Sequence, residues 1–378
     1  MTPESSVRLL PESRRGLLLG VRGWSAVVAA VVVVAIVVPL LNLAVPAGSP
    51  LHLGDWGVAL VAKIMCYAIC ALAMDLIWGY TGILSLGHGL YFALGGYAMG
   101  MYLMRQIGRD GNYRSELPDF MVFLDWKALP WTWGGSASFV FQMILVVAVP
   151  GVLSAVFGWF AFRSRIKGVY FSIITQALTF AGMLLFFRNE TGFGGNNGFT
   201  DFKRILGAPI AAPSTRMLLF VITGLTLVGF YLLARAVVNS KFGRVLQAIR
   251  DAETRVMFTG YDPLKYKLSI WVLSAVMCGI AGALYVPQVG IINPSEMSPA
   301  ASIEMAIWAA VGGRGTLVGP IVGAFFVNGA KSWFTQAFPE FWLYFLGALF
   351  IAVTLFLPRG IMGIRVRWMK GKGVEVRE

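Results

Sequence analysis

The amino-acid sequence predicts an all-α polytopic membrane protein of about nine to ten helical spans, including a broken, glycine-rich pair. Three observations lead to that class. Hydrophobic residues fill 57% of the 378 positions and charged residues only 13%. A water-soluble domain carries roughly 25% charge, so this surface cannot face water all round. The apolar residues come in long runs: Trp24 to Val45 holds no charge, and about 20 such residues span a bilayer as a helix. The charges cluster in short stretches between those runs.

Taken in order, the runs place spans at 24–45, 56–78, 83–104, 139–162, 168–187, 215–237 and 267–289. A pair at 301–312 and 317–332 follows, then a last span at 340–357. The first run follows Arg14, Arg15 and Arg22, as a signal peptide would. It is longer than the ~7–15 residues of a cleaved apolar core, and "NLAVPAG" offers no A-x-A-like site, so an uncleaved span is expected.

Lys and Arg set the expected orientation. With the N-terminus in the cytoplasm, the segments 1–23, 163–167, 235–267 and 358–378 are cytoplasmic and hold 20 of the 31 basic residues. That excess favours cytoplasmic N- and C-termini. Arg105, Arg109 and Arg114 fall in the outer loop 105–138, together with Asp110, Glu116, Asp119 and Asp125. The net charge of +13 is thus spent on orientation and lipid headgroups. No basic stripe interleaved with aromatics points to nucleic acid.

Parity constrains the end of the chain. From the cytoplasmic stretch near 250 to the basic tail the number of crossings is even, so the pair 301–312 and 317–332 crosses twice or dips and returns. "VGGRGTLVGP" separates its halves, placing Gly313, Arg314 and Gly315 in a non-helical break that only protein or a water-filled cavity can satisfy. Glu304 and Arg314 flank this region and read as anchors of the break first and gate elements second.

"GYTGILSLGHGLYFALGGYAMG", from Gly79 to Gly100, has seven glycines and one of only two histidines. Glycine allows close helix contact in lipid. Gly96 and Gly100 form one small-xxx-small pair, Gly319 and Gly323 another. Gly79, Gly82, Gly87 and Gly89 are irregularly spaced and suggest a bent or unwound stretch before a regular helix from Leu90. For His88 two readings stay open: it holds the bend by bonding freed backbone, or it lines a route. Cys66, Cys70 and Cys278 lie in apolar runs and read as packing residues, and no metal site or cofactor is expected. No Ser/His/Asp or paired-carboxylate arrangement points to an enzyme.

"NSKFGRVLQAIRDAETRVMFTGYDPLKYKLSIW" is too polar to span. Phe242, Val245, Leu246 and Ile249 fall at i, i+3, i+4 and i+7, an amphipathic helix. Glu253 to Thr259 is a second short stretch, stopped at Gly260.

"GYTGILSLGHGLYFALGGY", "GGNNGF", "SKFGRVLQAIRDAETRVMFTG", "SIEMAIWAAVGGRGTLVGP" and "LFLPRGIMG" occur in that order. Together they resemble the permease subunits of branched-chain amino acid-type ABC importers, over nearly the whole chain past residue 60. The outer loop "RSELPDFMVFLDWKALPWTW" is similar to that of the urea-type permeases. The resemblance implies a permease domain over 24–357 with a cytoplasmic N-terminal tail at 1–23, a coupling segment at 240–266 and a basic tail at 358–378. It implies docking of ATP-binding subunits through Arg250, Glu253, Arg255 and Gly260, although Thr254 and Arg255 depart from the family's Glu-Ala-Ala form. It further implies a second homologous permease, a periplasmic binding protein and a bacterial inner membrane. The chain has no G-x-x-x-x-G-K-[ST] loop, so ATP hydrolysis belongs elsewhere.

Urea is the expected substrate, with branched-chain amino acids or short amides as the alternative and a stand-alone channel as a rival. A route for a small neutral solute calls for uncharged polar groups in apolar spans. Thr81, Ser85, His88, Thr175, Gln176 and Thr179, with Glu304, are the candidates; for the threonines, back-bonding to a helix carbonyl is the competing role. Gly87, Gly89, Gly96 and Gly100 are the expected packing and bend positions.

Overall fold

The computed structural model describes residues 18–46, 48–166 and 168–341, with scattered positions from 344 to 363. Most of the expected last span, of the N-terminal tail and of the basic tail lies outside the described residues.

The first span, α1, runs Val21–Ala44 and loosens into wider turns around Pro39, which has no N–H to give the helix. Then come α2 (Asp55–Thr81), α3 (His88–Ile107), a short α4 (Asp119–Phe123), α5 (Phe139–Arg163) and α6 (Val169–Phe187). The chain continues with α7 (Pro213–Asn239), α8 (Lys241–Phe258), α9 (Pro263–Val289), α10 (Pro299–Gly312) and α11 (Val318–Ala337). The only strands among the described residues are two-residue pieces. β1 (Phe199–Thr200) pairs antiparallel with β4 (Ile291–Ile292), and β2 (Arg204–Ile205) with β3 (Ala208–Pro209).

These helices match the spans read from the apolar runs. Six of them, α1, α2, α5, α6, α7 and α9, are long and apolar enough to cross a membrane. α3 is almost entirely buried, so it can carry glycine and tyrosine where a lipid-facing helix carries valine and leucine. The outward residues of α1, α5 and α6, such as Val28, Ile36, Ile144, Val152, Phe160, Ile173 and Leu184, are exposed and apolar. Hydrocarbon is the solvent that suits them.

The core is α9 wedged among α2, α3 and α5. A Cβ on Gly95 would collide with the Gly279 carbonyl, and one on Gly282 with the Phe92 carbonyl. Backbone therefore touches backbone at Gly95, Gly279 and Gly282. The expected pair Gly96 and Gly100 is less tightly held and faces side chains: Ile292 for Gly96, Phe199 and Ile292 for Gly100. The β1–β4 pair seals this end of α3, and Gly198 lets it form, since a Cβ there would strike the Ile292 carbonyl. The outer loop folds onto the same place. Trp133 is buried, donates from Nε1 to the Gly192 carbonyl at 3.1 Å and stacks edgewise on Phe199. Its arginines find local partners, Arg109 on Glu116 at 2.9 Å and Arg105 on the Glu116 carbonyl.

α10 and α11 form a hairpin. Gly312 lies against Gly319, and Gly323 against the Trp308 carbonyl, so the second small-xxx-small pair is a helix contact as expected. The turn of the hairpin sits beside the end of α2 and α8. α11 finishes on the opposite side, where Gln336 shares a cleft with Trp56 at the start of α2. Gly360 then packs on Gly313, back on the α8 side. Ends placed this way agree with two crossings by the hairpin.

Gly282→Ala should fail to assemble, because the added methyl meets a carbonyl that cannot retreat. Overpacking of this kind costs about 1–3 kcal/mol or more. Gly229→Ala, where a Cβ would meet nothing within 4 Å, is the control and should be neutral. Membrane abundance and melting in detergent measure both.

Candidate functional site

The helical pattern breaks twice, and both breaks lie inside the bundle. The first follows α2, which ends at Gly82 with φ of +74°. Residues 83–87 have no regular secondary structure and lead into α3. His88 marks the depth reached: its Nε2 lies 3.1 Å from Ser274 Oγ, eleven residues into α9 or about 16 Å along that helix. This is non-helical backbone at membrane depth, and its polar groups are answered by side chains. Leu86 N–H donates to Thr175 Oγ1 at 3.0 Å, and Ser172 Oγ donates to the Leu84 carbonyl at 2.8 Å. Thr179 Oγ1 lies 3.4 Å from the Leu86 carbonyl. Gly87 N–H donates to Ser85 Oγ, and Gly89 N–H to Ser302 Oγ on α10.

Four of the six uncharged polar candidates read from the sequence therefore meet around one segment. Ser85, His88, Thr175 and Thr179 are fully buried and contact backbone or each other; His88 Nδ1 lies 3.0 Å from Ser85 Oγ. Thr81 caps the end of α2 by donating to the Ile77 carbonyl. Gln176 faces another way and is half-buried. The aromatic rings of Tyr91 and Trp271 enclose His88 edgewise. Gly87 and Gly89 are crowded by Thr175 and by Ser302, so a side chain at either would push these partners away.

The second break lies between α10 and α11. Gly313, Gly315 and Leu317 take positive φ, of +116°, +76° and +60°. Asp75 on α2 reaches across and accepts from Gly315 N–H at 2.5 Å and Leu317 N–H at 3.0 Å. Tyr80 donates to the Gly315 carbonyl at 2.9 Å. Arg314 does not pair with Glu304; its guanidinium lies 5.2 Å from the Trp78 ring. Glu304 instead holds Lys331 of α11, at 2.8 and 3.0 Å.

On the far side from α8, a cleft of about 480 Å³ opens between α2, the end of α9 and α11. Lys63, Tyr67, Gln288, Asn328, Lys331 and Ser332 are among its walls. Lys63 Nζ sits 5.8 Å from the Tyr67 ring and 5.9 Å from the Tyr285 ring. Tyr285 donates to Glu296, in the connection between α9 and α10, at 3.2 Å. Burial raises the Glu296 carboxyl above its ordinary value, and the Tyr285 hydrogen bond opposes the shift. Gln288 donates to Thr223 Oγ1 and the Leu284 carbonyl, while its Oε1 is buried with no partner among the described residues. Sequence reading missed Lys63, Gln288 and Asn328 as a group, since they stand on three different helices.

On the α8 side, Ala252 leaves helical geometry (φ −156°) and divides α8 in two. The first part donates from Arg250 Nη1 to the Gly79 carbonyl of α2 at 2.8 Å. The second part is tied to the start of α9 by the Glu253–Lys267 ion pair, 2.5 Å long and largely shielded. Beyond it Val256 is buried, Arg255 is exposed, and Phe258 stands 88% exposed just before Gly260, whose φ is +86°.

The family described as "Branched-chain amino acid transport system / permease component" matches residues 58–354. The chain belongs to this family. The permease is 22% identical over 344 residues to the high-affinity branched-chain amino acid transport system permease protein LivM of Salmonella typhimurium, covering 85% of this chain and 73% of that one. BraD of Pseudomonas aeruginosa, of the same description, is 22% identical over 79% of this chain and 91% of its own. The ribose import permease RbsC of Bacillus subtilis is 26% identical over 42% of this chain and 49% of its own. No solved structure matches. The protein is thus a multi-pass inner-membrane subunit of an ABC importer and not an enzyme. Its family works with separate ATP-binding subunits and a substrate-binding protein.

Thr175→Val keeps the shape of the side chain and removes the acceptor of Leu86 N–H. A buried donor left unpaired costs about 1–3 kcal/mol. The variant should melt lower in detergent than the wild type, and Thr175→Ser should recover most of the loss.

Proposed function

We propose that this permease carries urea, with the α8 side in the cytoplasm and the α2–α9–α11 cleft facing the substrate-binding protein. The observation that supports a small neutral solute is the chemistry of that cleft. Tyr67, Gln288, Asn328, Ser332, Thr335 and Gln336 offer hydroxyl and carboxamide groups along its walls. Its charges are already engaged: Lys331 by Glu304, Lys63 by two aromatic faces. Urea needs both donors and acceptors and no counter-charge, whereas a zwitterion needs a partner for each of its charges. The sequence of the outer loop prompts the same reading, whereas the relatives named above are permeases for branched-chain amino acids and ribose and favour the alternative.

The second reading is a branched-chain amino acid, favoured by what the LivM and BraD relatives are named for. Trp56, Leu60 and Ile64 on the same cleft would suit an aliphatic side chain. The ribose permeases in the comparison argue that one scaffold of this kind serves chemically different cargo, so a relative's cargo does not transfer at 22% identity.

On the α8 side, the exposed Phe258 with Met257 and Tyr261 makes an apolar knob that the described bundle leaves uncovered. An ATP-binding subunit is the partner we assign to it, through the second part of α8. Thr81, Ser85, His88, Thr175 and Thr179 act in this proposal by keeping the segment 83–87 in place, beside the route rather than along it. A second, homologous permease completes the cleft from its open side.

Radiolabelled uptake in cells dependent on this chain tests the substrate. Urea should be taken up, and excess leucine should not compete; leucine uptake with no urea uptake would establish the second reading. Phe258→Ser and Gly260→Val should leave membrane abundance unchanged and reduce both uptake and co-purification of the ATP-binding subunits at least tenfold. Reporters fused after residue 250 and at residue 335 should read cytoplasmic and external.

A further inference from the structure

We infer that Asp75 is the positioning residue that joins the ATPase-facing segment of this permease to α11, so that motion of α8 is delivered to the cleft on the opposite side. The inference rests on the proposed docking of an ATP-binding subunit at α8 and not on the identity of the cargo.

The connection is a continuous run of hydrogen bonds. Arg250, the last residue but one before the kink of α8, donates to the Gly79 carbonyl at 2.8 Å. Gly79 is one turn beyond Asp75 on α2. Asp75 accepts from Gly315 and Leu317 N–H, and Tyr80 donates to the Gly315 carbonyl at 2.9 Å. Leu317 is the residue that caps α11. Helix N-termini expose unpaired N–H groups that are ordinarily capped by a side chain of the same segment. Here the capping carboxylate comes from another helix, 242 residues away in the chain. The N-terminus of α11 is thereby fastened to α2 as well as to its own loop, where Thr316 Oγ1 accepts from Gly319 N–H at 2.9 Å.

Glycine makes the joint tight. A Cβ on Gly79 would collide with Asp75 Oδ1 and crowd Gly315 N at 2.6 Å. A Cβ on Gly82 would come within 3.0 Å of Arg250 Cγ, so only glycine lets this aliphatic stem lie so close. Leu317 holds φ of +60° within this net, a conformation that a leucine adopts only when its surroundings impose it. Two hydrogen bonds to a buried carboxylate are of the stronger, charge-assisted kind. Breaking them would strand the carboxylate and both N–H groups, so α2, the break and α11 are bound to move as one body. α11 then carries Asn328, Lys331 and Ser332 into the wall of the cleft. A displacement of α8 that pulls on Gly79 reaches those residues through Asp75.

The test reads α11 directly and needs no cargo. In the assembled transporter, Ser332→Cys reports on the cleft through its labelling rate with a membrane-impermeant maleimide; Cys66, Cys70 and Cys278 are buried. Nucleotide-free and ATP-vanadate-trapped states are compared. With Asp75 intact, trapping should change the labelling rate at least threefold. Asp75→Asn should abolish the change while at least half of the ATPase activity remains, the mark of broken transmission rather than lost structure. Tyr80→Phe removes the neighbouring link and should halve the change. Retention of the full change in Asp75→Asn would overturn the assignment. So would a full change in Tyr80→Phe if Asp75→Asn fails to insert, or an Asp75→Asn variant whose ATPase activity and labelling change fall in the same proportion.

Discussion

A backbone N–H or C=O inside a bilayer has no water to bond, and leaving one unpaired costs several kcal/mol. This chain abandons the helix twice within the bundle, at 83–87 and 313–317, and the rest of the structure is arranged around satisfying those two segments. Ser172, Thr175 and Thr179 rise from α6 on the side facing the first. Ser302 comes from α10, and Ser274 of α9 steadies His88 beside it. The second is held by a carboxylate, a tyrosine and the hydroxyl of Thr316, which donates to the Gly313 carbonyl. A helix without these breaks would be more stable alone. It would also leave no reason for α3 and α11 to be fixed by groups on other helices.

The two breaks divide the labour differently. Around 83–87 every partner is neutral, and the site is closed over by Tyr91 and Trp271. Around 313–317 the partner is an acid, and a basic residue of α8 bonds the same turn of α2. Backbone contacts at Gly95, Gly279 and Gly282 lock α3 to α9, whereas the hairpin α10–α11 meets α2 through hydrogen bonds at its turn. The first arrangement suits a fixed core and the second a part that is pulled as a unit.

Much of this was legible in the sequence. Long apolar runs mark spans because bilayer thickness fixes their length, and the described spans follow them closely. The glycine-rich break at 313–315 and the unwound lead-in to α3 were readable because glycine and proline interrupt apolar periodicity. The kink of α8 was visible only as two short apolar patterns in succession. Partner identity was not legible. Gly96 and Gly95 are adjacent and equally small, yet one meets side chains and the other a backbone, which depends on the rotation of α3. Asp75 is an acid within an apolar span, which calls for partners without naming them. Its true partners are two N–H groups far along the chain, and amide donors leave no trace in residue identity.

The same reasoning explains why polar residues in spans misdirect a search for the route. Lipid imposes a demand on backbone that water does not, so hydroxyls are recruited to serve it before they serve cargo. Thr175 donates its one proton to the Ser172 carbonyl and accepts from Leu86 N–H, so backbone takes its donor and engages its oxygen. Gln288, by contrast, keeps one acceptor unused at the wall of a cleft. In a membrane bundle the informative polar group is the one whose hydrogen bonds are incomplete after the backbone has been served, and that property belongs to the folded structure rather than to the sequence.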